Sequence, residues 1–228
     1  MRKWCSMAIA FLAFSSAAAL LGLQQSGRAA DQPLLSAAQI VLFESDHLAE
    51  IKSPTTLDYT FQHAGSDPYE DSVALLVSEV HDDGSKDLSV EFLTGEHRME
   101  LSPVTRFHGN PLVMYFLEWD VRGMSKVTGG STLYFRNRVR EGFVDQAEIA
   151  DASIIVNGRP EPATAITLQP FRHDPGIERY AAFRDKSYRF VLSQTVPGRV
   201  YEIEAALPAD APDVPSIVDR VTYKEIRE

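Results

Sequence analysis

The hydrophobic period of this chain changes twice, and that limits the folds open to it. Between residues 55 and 101 apolar side chains alternate with polar ones. TTLDYTFQH, 55–63, places Leu57, Tyr59 and Phe61 on one face. DSVALLVSEVH, 71–81, does the same with Val73, Leu75 and Val77, and DLSVEFLTG, 87–95, with Leu88, Val90 and Phe92. A period of two is that of a half-buried strand. DDGS, 82–85, is a tight-turn signal between two of these runs. EHRMELSPVTRFH, 96–108, carries Met99 and Leu101 before Pro103 confines the strand to an edge or ends it.

From residue 113 the period becomes three and four. Val113, Phe116, Leu117, Val121 and Met124 form one helical face, and Asn110-Pro111 is a start signal before it. Gly129 is placed to end this helix, and Ser131 or Thr132 to cap another. Phe135, Val139 and Phe143 then recur every four residues. Two helices joined by a short glycine turn form a helical hairpin. After about residue 150 alternation returns. ASIIVNGR, 152–159, contains an Asn-Gly turn, and ATAITLQPF follows at 163–171. KSYRFVLSQTVPGRVYEIEAAL, 186–207, reads as two strands around a Pro197-Gly198 type II turn, and VDRVTYKEI, 218–226, as a last strand. Near the start, LSAAQIVLF reads as a short helix. Strands, helical hairpin, strands: the expected fold class is α+β, a large curved antiparallel sheet packed against a central helical hairpin. No repeat or long linker divides the chain, so residues 30–228 are expected to form one domain.

The first 29 residues have the three-part order of a secretory signal peptide: basic MRKWCSM, apolar AIAFLAFSSAAALLGL, then polar QQSGRAADQ with small residues. The apolar run is short for a membrane span and is interrupted by Ser15 and Ser16. Cleavage removes Cys5, the sole cysteine, so disulfides, thiolate metal sites and a cysteine nucleophile are excluded from the mature chain. It also removes Arg2, Lys3 and Arg28 and no acid, leaving 19 basic against 32 acidic residues, a net of −13. Such acidity argues against nucleic acid and anionic lipid surfaces as general partners. No stable membrane span is expected after cleavage.

Chemistry-bearing motifs are sparse. TGGSTLYFRNRVREGF, 128–143, couples a glycine pair and two hydroxyls to three arginines. A helix N-terminus can hold an anion, but the arginines follow the cap, and no phosphate-loop spacing is present. A capped helix with a basic face, paired with acids of the same chain, accounts for the pattern. His47, His63, His81, His97, His108 and His173 show no metal-ligand spacing, and no Gly-x-Ser-x-Gly elbow occurs. Glu118 and Asp120 lie two apart on a helix and diverge, so no catalytic residues, cofactor or metal are assigned. The first helix is rich in Met114, Tyr115, Phe116, Trp119 and Met124, residues that make core or an adaptable apolar lining.

NPLVMYFLEWDVRGMSKVTGGSTLYFRNRVREGF, with GSKDLSVEFLTGEHR before it and KSYRFVLSQTVPGRVYEI after it, resembles a family of exported proteins of Gram-negative bacteria that brings no assigned activity. The order of elements is also similar to periplasmic lipoprotein carriers of the LolA type. That likeness implies a curved sheet enclosing helices and an apolar cavity, although the carriers do not have their helical hairpin mid-chain. The expected function is a non-enzymatic periplasmic protein binding a lipid or other hydrophobic ligand. Val113, Phe116, Leu117, Val121 and Phe135 are the expected lining, with Arg136 and Arg140 meeting an acidic head group. The alternatives are a structural or interaction protein of the cell envelope with a packed core, partnered by an envelope protein, and a hydrolase assembled from separate turns.

Overall fold

The computed structural model describes residues 35–209 and 216–227. The expected signal peptide and most of the PADAPDVP loop lie outside the described residues. Nine strands form one open antiparallel sheet: β1 (Thr55–Ala64), β2 (Tyr69–Val80), β3 (Lys86–Phe92), β4 (Val104–Phe107), β5 (Glu148–Val156), β6 (Arg159–Leu168), β7 (Ser187–Leu192), β8 (Val200–Leu207) and β9 (Ile217–Arg227). Their spatial order is β4-β3-β2-β1-β9-β8-β7-β6-β5. Two meanders are thus joined where the first strand pairs with the last, His63 opposite Asp219 and Phe61 opposite Val221. Helices α2 (Leu112–Thr128) and α3 (Thr132–Asp145) carry the chain from edge strand β4 to edge strand β5. A short helix α1 (Ala37–Gln39) runs directly into a π-helical turn, Ile40–Glu44.

The expected α+β class is the observed one. Its cause is visible in the register. Phe61, Val221, Ile203, Phe190 and Ile166 align across five strands and are all buried. The hairpin closes over this row: Phe61 meets Trp119 edge-on at 5.1 Å, and Phe143 meets Phe190 at 5.6 Å. Burying each such aromatic contributes roughly 1.5–3 kcal/mol relative to leaving it in water.

Turn chemistry sets the register. Asn157 and Gly158 both take positive φ, 51° and 75°, as a two-residue hairpin requires. The Pro197-Gly198 turn closes with the Arg199 amide donating to the Val196 carbonyl at 2.8 Å. Gly198 has φ 72°, and an added Cβ would stand 2.5 Å from Leu57 Cδ1, so glycine is required twice over. Gly129 ends α2 in the left-handed conformation.

One expectation needs adjusting. The segment 96–108 is not one strand: a 3-10 turn at Gly95–His97 and a single bridge from Met99 to Phe92 precede β4, which starts just after Pro103. Alternation there reflects local burial of Met99 alone, and β4 is an edge strand as the proline implied. The segment Pro175–Phe183 is 3-10 helical; no periodic pattern announced it.

Candidate functional site

Two concavities flank α2 on opposite sides. The first is a groove of about 540 Å³ on the outer side of the hairpin. Leu117 and Val121 of α2 and Val139 and Phe143 of α3 form its floor, and Phe43 of the π-helical turn closes one end. Met114 stands 42% exposed at its wall. Glu118, Arg136 and Arg140 form the polar rim. Arg136 Nη2 donates to Glu118 Oε2 at 2.9 Å, and Arg122 Nε donates to Glu118 Oε1 at 2.8 Å. Burial pushes the Glu118 carboxyl up, but the two arginines bonded to it win and hold it below the usual carboxylate range. Arg140 is exposed and has no acidic partner among the described residues.

The seven residues singled out from sequence therefore divide. Leu117, Val121, Arg136 and Arg140 are brought together around the groove. Val113, Phe116 and Phe135 are fully buried between hairpin and sheet, where the space is filled. In the basic stretch 128–143, Ser131 takes the N-cap position of α3 but its hydroxyl makes no capping hydrogen bond, while Arg136 and Arg138 find internal partners. Arg136 pairs with Glu118, and Arg138 pairs with Glu141 and, at 3.6 Å, with Asp174.

The second concavity, about 460 Å³, opens at the end of the covered face. Trp119, Met124, Phe183 and Leu207 make its apolar walls. Four titratable side chains sit at its inner end: Asp120, Lys186, Asp219 and His63. Lys186 Nζ lies 2.8 Å from Asp120 Oδ1, and the two side chains are 4% and 5% exposed. The Tyr188 hydroxyl donates to Asp120 Oδ2 at 2.6 Å. His63 Nδ1 and Asp219 Oδ1 are 2.6 Å apart. Desolvation drives the Tyr188 hydroxyl well above its ordinary value, with the Asp120 charge adding to it. Asp219 is also pushed up, chiefly by burial; its bond to His63 and the nearby Lys186 charge offset only part of this.

Sequence reasoning missed this cluster, although part of the signal was present. His63 continues the inward phase of Leu57, Tyr59 and Phe61, and Asp219 shares the phase of Val221. Asp120 falls midway between Phe116 and Met124 on the buried helical face. A charged residue in the apolar phase of an element is the detectable anomaly. That Lys186 would neutralise Asp120 is not readable from spacing.

Among the described residues, Glu79, His81 and Asp87 are the group whose ligand atoms converge enough for a metal ion. The imidazole points one nitrogen at each acid, Nε2 to Asp87 at 2.8 Å and Nδ1 toward Glu79 at 3.5 Å, and so ties the β2–β3 hairpin together.

No family model and no curated protein matches the chain. Among solved structures it is similar to the lipoprotein LppX of Mycobacterium tuberculosis, at 10% identity and a TM-score of 0.31, over 80% of this chain and 95% of that one. It is also similar to a LolA superfamily protein of Nitrosomonas europaea, at 9% identity and a TM-score of 0.21, over 85% of this chain and 93% of that one. The site is therefore interpreted from its own residues. Among the described residues no helix is long and apolar enough to cross a membrane.

Proposed function

We propose that this is an exported, non-enzymatic binding protein of the periplasm that shelters a hydrophobic molecule with an acidic head in the groove along its helical hairpin. The observation that carries the reading is the groove itself. It is an apolar trough between α2 and α3, open to solvent, with Arg140 at its rim. Its volume falls within the range of roughly 300–1,000 Å³ that small-molecule sites occupy. Apolar floors supply affinity through burial, and a rim arginine supplies orientation through charge-assisted hydrogen bonds to an acidic group. The unbranched, polarizable Met114 suits a wall that adapts to more than one chain shape. Export rests on the amino-terminal pattern of residues 1–29.

The test is native mass spectrometry of the mature protein with dodecyl phosphate. One equivalent bound is the expected result. Arg140→Glu, an exposed change that leaves the floor intact, should weaken binding about tenfold or more. Val121→Gln should abolish it with the circular-dichroism melt as the folding control. Equal binding by wild type and Arg140→Glu, or none by either, overturns the proposal. In the latter case the groove becomes a surface for an envelope protein, and crosslinking in the periplasm would find the partner.

A further inference from the structure

The second concavity has features that a filled core does not require. Its inner end holds two acids and a lysine that are each less than a tenth exposed. Buried ion pairs are generally no more stabilising than well-packed apolar side chains of similar size. The mouth carries a second, independent feature. Gly123 lies in the interior of α2, lines the cavity, and a Cβ there would meet nothing within 4 Å beyond its chain neighbours and the backbone of its own helix. Its φ is not in the left-handed region that favours glycine. Glycine is the poorest interior helix former after proline, so neither packing nor backbone conformation accounts for it. Gly123 is exposed on the cavity lining and leaves open space there.

The polar atoms left over at the inner end define what could enter. Both oxygens of Asp120 are engaged, by Lys186 and Tyr188. Asp219 uses one oxygen for His63, and its second has no hydrogen-bond partner among the described residues. Lys186 uses one of an ammonium's three donors on Asp120. An acceptor and donors therefore remain on one cavity wall. An anionic head would face Asp120 and Asp219, and a cationic head would face Lys186, so either charge meets a like charge on the wall. A hydroxyl donates to one partner and accepts from the other and brings no charge. We propose that this cavity is a second ligand site, distinct from the groove, that takes an apolar alcohol entering past Gly123, with its hydroxyl between Lys186 and Asp219.

Trp119 lines the cavity wall and is the only tryptophan beyond the first thirty residues, so its fluorescence reports this site and not the groove. The experiment titrates the mature protein with 1-dodecanol, laurate and dodecylamine and follows Trp119 emission, with native mass spectrometry for stoichiometry. The expected result is a saturable emission shift with dodecanol at one equivalent, and binding of the two charged chains weaker by about tenfold or more. Gly123→Phe, on an exposed helix face, should abolish the dodecanol shift without lowering the circular-dichroism melt, which the better helix former should if anything raise. Gly123→Leu is the second blocking variant and should do the same. The proposal is overturned if dodecanol leaves the emission unchanged, if the three chains bind alike, or if both blocking variants bind as wild type does. Binding of dodecyl phosphate seen by mass alone, with Trp119 silent, belongs to the groove and does not bear on the cavity.

Discussion

The two faces of the sheet use the same residue types to opposite ends. On the open face, Arg189 pairs with Glu202 at 2.6 Å, Arg220 with Glu204 at 2.5 Å, and Arg227 with Asp58. The arginines of these pairs are 39–59% exposed. On the covered face, Asp120, Lys186 and Asp219 are each less than a tenth exposed and bonded among themselves and to Tyr188 and His63. Water still reaches the arginines of the first set, although the acids are only 16–20% exposed, so each pair adds little. The second set has lost most of its water, so each member depends on the others. The comparison teaches that partner distance alone does not rank ion pairs; what the pair has given up in solvation does.

Removing one member of the buried set should therefore have the largest effect. Lys186→Met leaves Asp120 buried without its cation and should lower unfolding free energy by about 3–5 kcal/mol, measured by urea denaturation. A loss comparable to that of an open-face pair would erase the distinction. Tyr188→Phe removes one hydrogen bond to the same carboxylate and should cost about 1.5–3 kcal/mol, by the same measurement.

The two faces should also respond to acid with opposite sign. Asp219, raised by burial, binds its proton more tightly folded than unfolded. Relative to Asp219→Asn, the wild type should gain stability as pH falls from the raised folded value toward the ordinary value of 3.8. Asp58, lowered chiefly by its bond to Arg227, behaves inversely. Relative to Asp58→Asn, the wild type should lose its advantage as pH falls below the ordinary value through the lowered one. Urea midpoints measured from neutral pH down to below the ordinary value of 3.8 check both, and slopes of the same sign would show that the faces do not differ in this way. The smallest effect belongs to Arg220→Ala, expected to cost at most about 1 kcal/mol and to cost less as salt is raised.

Much of the architecture was legible because it is written at short range. Leu57, Tyr59 and Phe61 alternate, and Phe135, Val139 and Phe143 repeat every fourth residue, in the elements where the structure has a strand and a helix. Asn157-Gly158 and Pro197-Gly198 mark turns whose backbone only a few residue types adopt. The groove was half legible: Leu117, Val121, Arg136 and Arg140 share it, but helical periodicity could not separate them from Val113, Phe116 and Phe135, because it does not say which side of a buried helix meets the sheet.

Local pattern by itself decided the order and type of the elements, since strand and helix periods and turn dihedrals depend on neighbours a few residues apart. Only the folded chain decided that β1 pairs with β9, and with that pairing that His63 meets Asp219 across 156 positions of sequence. It alone decided that Lys186 reaches Asp120 and that a cavity is left beside Gly123. Contacts of that kind depend on how the hairpin settles across the sheet, a matter of total packing that no short window of sequence contains.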